Sequence, residues 1–359
     1  MRTLDLAALA YPVDPRLVSA FRERSRANPA YASQFGTGRY LALGCALVML
    51  GLIVLGFALV TGFLLFGWML ADPGNPAPFI IGTVGITITA GLVVLAVVST
   101  RRSRTSAWEK YLRLETFAAA NDLVFSPASP KPHYPGLIFG QGGDQKTVDH
   151  LRSREGRFLD IGNFQFTVSN GKTTSTHQRG FMALHLDRRL PHMVLDATAN
   201  GSLGLAAFGR DQVLSLEGDF NRFFTLYCPR QYERDAYYVF TPDLMALLID
   251  MASPFDVEII DNWMFVYTNG PFPMTNPGLH ERLFRIVDTV GAKTLRQTSR
   301  YVDERIGVFE PNVVAPPGQR LRRRLPVGAI IAIVIGGVAL VAPGVGFVVF
   351  LLVGLATTR

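Results

Sequence analysis

The chain has 359 residues, 49% of them hydrophobic, a formal charge of +7, and two cysteines, Cys45 and Cys228. Residues 105–319 hold 21 basic against 24 acidic side chains, a net of −3, so the positive excess lies outside that body and argues against a nucleic-acid partner, which would be gripped by phosphate contacts. With one cysteine in an apolar run and one in the body, no intradomain disulfide forms there, which fits a reducing compartment.

Residues 1–39 form a polar leader with a short helix expected over Pro15 to Ala27. Its Arg22, Arg24 and Arg26 are expected along inner headgroups. Three stretches then carry no Asp, Glu, Lys, Arg or His: Tyr40–Ala71, Pro73–Thr100 and Leu325–Thr358. Each is long enough to cross a hydrocarbon core as a helix, so the expectation is an integral membrane protein. The spans are placed at 41–69 and 78–99 as a hairpin within residues 40–100, and at 326–359 as a C-terminal helix kinked near Pro343, with a re-entrant hairpin there as the alternative. Basic residues set the orientation. Arg101, Arg102 and Arg104 follow the second run, and Arg320, Arg322, Arg323 and Arg324 precede the third, while the link around Asp72 to Pro76 has none. This pattern predicts a multi-pass protein of the inner membrane, with residues 101–310 facing the cytoplasm and a Pro/Arg-rich linker at 311–325. The expected partners are the bilayer, anionic headgroups at those seven arginines, and a protein.

The body reads as α+β with a mostly antiparallel sheet, because strands and helices arrive in runs. Trp108–Asn121 is an amphipathic helix, with Tyr111, Leu114, Phe117 and Ala118 at helical spacing. Ser126–Gly143, with four prolines, is a rigid loop. Strands are expected at Phe158–Ser169, Phe181–Leu186, His192–Ala197, Gln212–Glu217, Phe223–Tyr227 and Tyr237–Phe240, with a tight turn at Asn170-Gly171. Thr241-Pro242-Asp243 opens a helix, Asp256–Ile260 and Met264–Thr268 form a hairpin around Asp261 to Trp263, and Asn276-Pro277 caps a last helix to about Arg296.

Few residues suggest chemistry. Gly171-Lys172-Thr173 matches the end of a phosphate loop, but Phe166 stands where its first glycine belongs, so a hairpin tip fits better. Gly140, Gly142 and Gly143 before Lys146 resemble such a loop only in composition. His185, Asp187, His192 and Asp196 meet a metal only if their strands pair, and no His or Cys pair has a close ligand spacing, so neither metal nor cofactor is expected. Glu217 with Asp219, and Glu233 with Asp235, each share a face of an extended segment, with Arg222, Arg230 and Arg234 nearby to neutralise them. Cys228 precedes Pro229 and has no helix amino terminus to activate it, so packing is its expected role.

The blocks EGRFLDIGNFQF, LPHMVLDA and LEGDFNRFFTLYCPRQYERDAYYVFTPDLMALLID resemble a family of uncharacterised bacterial integral-membrane proteins with a cytoplasmic domain of unknown function. The resemblance covers roughly Trp108 to Ile306 and implies no activity, cofactor or site residue. Three readings follow. The leading one is a membrane-anchored interaction, scaffold or sensing domain without catalysis. The second is a membrane-bound enzyme with its site around His185, His192, Glu217, Asp219 and Cys228. The third is a transport-associated subunit.

Overall fold

A computed structural model of the chain describes residues 4–32, positions 51, 56, 59–63 and 66–67, and residues 77–323 apart from 172, 202–207 and 307–311. In chain order the main elements are α1 (Ala7–Ala10), α2 (Pro15–Ser25), α3 (Pro29–Ala32) and α4 (Ala77–Ala120). Strands β1 (Leu123–Pro130), β2 (Gly143–Ser153), β3 (Leu159–Ser169), β4 (Thr174–Ala197), β5 (Val213–Leu214) and β6 (Phe224–Tyr227) follow. Next come α5 (Glu233–Val239), α6 (Pro242–Leu247), β7 (Asp256–Tyr267), α7 (Pro277–Ile286), α8 (Ala292–Thr298) and α9 (Pro316–Gln319). The strand order is β1-β2-β3-β4-β6-β5, with β7 also paired to β4. The α+β class with an antiparallel sheet matches the sequence reading.

The chain divides into two compact units. The first holds Met1–Tyr134, Ile138–Phe181 and Pro271–Phe284. Here α2 is capped by Asp14, whose carboxylate accepts the Arg16 amide at 2.8 Å. Its Val18 and Phe21 pack with Tyr31 against Trp108 and Tyr111 on the C-terminal part of α4. The leader is thus folded onto this unit. Arg113 donates to the carbonyls of Leu9 and Tyr11, and the Tyr31 hydroxyl donates to Glu115. Arg24, expected at headgroups, pairs with Glu115 at 3.1 Å. Strand β1 sits at the end of the strand order, where prolines are tolerated because the outer side of an edge strand needs no ladder donors. Pro127 and Pro130 therefore mark an edge strand, not the loop expected over Ser126–Gly143.

The second unit holds Pro135–Leu137, Met182–Gly270 and Arg285–Arg359. Two expected strands, Phe181–Leu186 and His192–Ala197, are parts of the single strand β4. The polar residues between them are absorbed sideways: Arg188 donates to the Ser299 carbonyl, and the Arg189 amide donates to the Asn312 side chain. Likewise β7 runs unbroken through the expected hairpin at Asp261 to Trp263, with Asp261 taking a positive φ of 52°. Tyr237–Phe240, read as a strand, lies mostly in α5, and the strand expected at Gln212–Glu217 shrinks to Val213–Leu214.

The transmembrane architecture is corrected. Among the described residues no helix is long and apolar enough to cross a membrane. The second expected span, 78–99, is the beginning of a longer helix, α4, that continues through Arg101, Arg102 and Arg104 into the packed segment from Trp108. The third span at 326–359, with its kink near Pro343, lies outside the described residues, as does most of the first at 41–69. Three membrane-spanning helices, and the multi-pass inner-membrane location inferred from them, are therefore not supported.

Phe21 is 3% exposed and meets Tyr31 and Trp108 edge to face. Replacing it with alanine should cost about 3 kcal/mol in chemical denaturation, as deletion of a buried ring does. A loss under about 1 kcal/mol would show that the leader does not depend on this cluster.

Candidate functional site

Glu258 lies on β7 and is fully buried in the second unit. Its Oε1 accepts from His192 Nε2 at 2.8 Å, while its Oε2 accepts the Tyr267 hydroxyl at 2.7 Å and the Leu137 amide at 2.8 Å. His192 Nδ1 accepts the Leu321 amide at 3.0 Å, which leaves Nε2 to carry the hydrogen given to Glu258. Burial, and then the negative Glu258, push the Tyr267 phenol far above its ordinary value. Every group in this set has a partner, and the arrangement holds segments together with no open ligand position. A neighbouring carboxylate, Asp256, accepts the Ala197 amide at 2.7 Å and Asn200 Nδ2 at 2.8 Å.

Neither hydrogen bond of His192 goes to another of the five candidate residues. His185 is bonded through Nε2 to Asn262 at 2.6 Å and meets the Trp263 ring edge to face. Glu217 and Asp219 are exposed on the loop after β5. Cys228 is 1% exposed, and burial, followed by the charges of Glu233 and Asp235, pushes its thiol up to about 12. Such a thiol stays protonated at neutral pH and is a poor nucleophile. The metal candidates fare no better. Among the described residues no group of three His, Cys, Asp or Glu side chains converges on an ion position. Asn170-Gly171 is a hairpin tip: Gly171 has φ +84°, and Asn170 Oδ1 accepts the Thr173 amide at 2.9 Å. Gly142, at φ +61°, turns the chain into β2, where Lys146 is paired with Gln165.

The second unit also carries an open cleft of about 640 Å³. One side is fixed by Asp303, which accepts the Tyr232 hydroxyl at 2.6 Å, the Ala315 amide at 2.8 Å and Arg305 Nη1 at 3.0 Å. Burial raises the Asp303 carboxyl, but these donors outweigh it and hold the group below the usual carboxylate range. Arg305 also pairs with Asp235 at 2.8 Å and stacks 4.0 Å over the Tyr232 ring, so its charge is spent within the framework. Arg234 and Arg300 also line the cleft, and among the described residues they form no ion pair. Tyr238 lies beside them, 41% exposed, with its hydroxyl held by the Gln297 carbonyl at 2.8 Å. Of the arginines expected at headgroups, Arg320 pairs with Asp261 at 2.9 Å, and the Arg322 backbone amide donates to Gln212.

The first unit has its own buried carboxylate, Asp160 on β3. It accepts the Tyr134 hydroxyl at 2.7 Å, His150 Nδ1 at 3.1 Å and Arg152 Nη2 at 3.0 Å. None of Glu258, Asp256, Asp160 or His150 follows from the sequence pattern searches for motifs. The available signal was an acid standing inside an otherwise apolar strand, as in DVEII and LDIG, because such an acid must be met by donors when buried.

No protein-family model matches the chain, and no curated protein matches it in sequence. Among solved structures, one similar chain is the mycobacterial trehalose monomycolate transport factor A, at a TM-score of 0.34 and 15% identity, over 57% of this chain and 98% of that one. That protein is named for transport, the third reading above. A likeness of that degree carries no argument for the role of any residue here.

In a Cys45→Ser background, Cys228 should react with a disulfide reagent only after denaturation. Labelling of the native chain at more than about a tenth of the denatured rate would contradict the buried, protonated thiol.

Proposed function

We propose that the chain is a protein-interaction domain whose second unit receives an acidic segment of a partner protein. The observation that carries this reading is the cleft of Arg234, Arg300 and Tyr238. Its two arginines have no ion pair among the described residues, whereas Arg305 on the same wall is paired with Asp235 and Asp303. Exposed arginine and tyrosine are the residue types that most often anchor protein interfaces, since both offer large rigid surfaces with polar ends. A carboxylate entering the cleft meets guanidinium forks that bind it in two-pronged fashion. Glu304 also lines the cleft and offsets part of its positive charge. The protonated Cys228 thiol and the His192 ring, bonded on both nitrogens, support binding over chemistry at these positions.

The test is fluorescence anisotropy of a short, labelled Asp/Glu-rich peptide with the full chain. Binding should weaken as salt rises, and the double variant Arg234→Glu, Arg300→Glu should lower affinity by at least about tenfold. No binding, or binding indifferent to both changes, would overturn the reading.

A further inference from the structure

The first unit contains a hydrogen-bonded series that the interaction reading does not use. The Ser129 hydroxyl on β1 is 2.8 Å from His150 Nε2 on β2, and His150 Nδ1 is 3.1 Å from Asp160 Oδ1 on β3. Three adjacent strands thus each supply one member. Because ionised Asp160 only accepts, Nδ1 carries the imidazole hydrogen, and Nε2 presents its lone pair to the serine. That is the tautomer a general base needs. Tyr134 and Arg152 occupy the other oxygen of Asp160 and fix the carboxylate plane, leaving Oδ1 to the histidine. His150 follows an irregularity in β2, where the register shifts between Val148 and Leu151 and Asp149 takes φ +52°. Bulges of this kind re-aim side chains next to functional sites. His150 is 4% exposed and Asp160 fully buried, while Ser129 is half-buried at the end of its strand. Ser129 is therefore the least buried of the three. Ser126 Oγ lies 3.2 Å from Ser129 Oγ and itself donates to the Ala128 carbonyl, so its hydrogen is committed elsewhere.

We infer that Ser129 is a nucleophile, with His150 as its general base and Asp160 as the residue that positions the base, acting on activated carboxylic esters. As Ser129 Oγ forms its bond to the acyl carbon, its proton passes to His150 Nε2. Collapse of the tetrahedral adduct breaks the bond to the leaving alcohol, which takes that proton. Water, deprotonated by the same nitrogen, then adds to the acyl carbon, and as the bond to Oγ breaks that proton returns to Oγ, so ester and water become acid and alcohol with the serine hydroxyl restored. Pro130 follows the serine and has no amide hydrogen, which removes one common donor to the oxyanion. The reaction is thereby confined to esters whose leaving group is already good, and amides are outside it.

The test uses the full chain with a biotinylated fluorophosphonate, which loses fluoride as Oγ bonds to phosphorus, and with p-nitrophenyl acetate. Peptide mass spectrometry should find the phosphonyl group on Ser129, and Ser129→Ala should abolish it while Ser126→Ala keeps it. His150→Gln should slow labelling by at least about a hundredfold, the lower range of general-base effects. Asp160→Asn should lower kcat for the acetate when counted per folded molecule, the folded fraction being read from the melting curve, because a smaller folded fraction alone also lowers apparent kcat with KM unchanged. Melting curves identify any variant that fails to fold. Because Ser129→Ala leaves the hydrogen bond between His150 and Asp160 in place, it serves as the folded reference. Absence of label on Ser129 in the folded chain, or labelling equally fast in folded His150→Gln, would overturn the inference. Neither result touches the acidic-peptide cleft of the other unit.

Discussion

Buried carboxylates closed by donors from distant parts of the chain are the constraint on which this structure depends. A charge removed from water is tolerated only when hydrogen bonds replace the lost hydration. Glu258, Asp256, Asp160 and Asp303 each meet that requirement. Glu258 shows how much is fixed by one group: its donors come from Leu137, His192 and Tyr267, and His192 in turn takes the amide of Leu321. Four separate stretches of the second unit are set by one side chain and the imidazole it holds. Asp303 does the same for Tyr232, Arg305 and Ala315.

The same constraint separates structural polar groups from available ones. His192 and Cys228 stand out in a sequence because histidine and cysteine are chemically versatile, yet one is enclosed between two hydrogen bonds and the other is a packed thiol. What stays available is what burial does not use. Arg234 and Arg300 in the second unit lie outside these networks among the described residues. Function is sought at these unspent groups because the spent ones cannot move without releasing a buried charge.

Much of the fold was legible where local chemistry decides the outcome. The Asn276 cap is real, its side chain accepting the Gly278 amide at 2.9 Å, and Tyr111, Leu114, Phe117 and Ala118 form the buried stripe their spacing implies. The helix after Thr241-Pro242 also forms, although the Thr241 hydroxyl makes no capping bond. Elements set by position in the sheet were not legible. Prolines in β1 read as a loop because sequence does not reveal an edge, and the missed β1 and β2 hid the meeting of Ser129 with His150. Charges inside β4 read as a break because their side-on partners, Ser299 and Asn312, lie far along the chain. The charge-free run at 73–100 read as a separate span, whereas its described part begins a helix that ends packed on the first unit.

The most direct test is the isosteric change Glu258→Gln. It keeps the volume but places an amide donor against a group that already donates, either His192 Nε2 or the Tyr267 and Leu137 pair. Shifting the His192 hydrogen to Nδ1 only moves the conflict to the Leu321 amide. Chemical denaturation of the variant should show a loss of about 2 kcal/mol or more, the scale for an unsatisfied buried polar group. Stability within about 0.5 kcal/mol of the parent would contradict the claim that closed buried carboxylates hold this fold together.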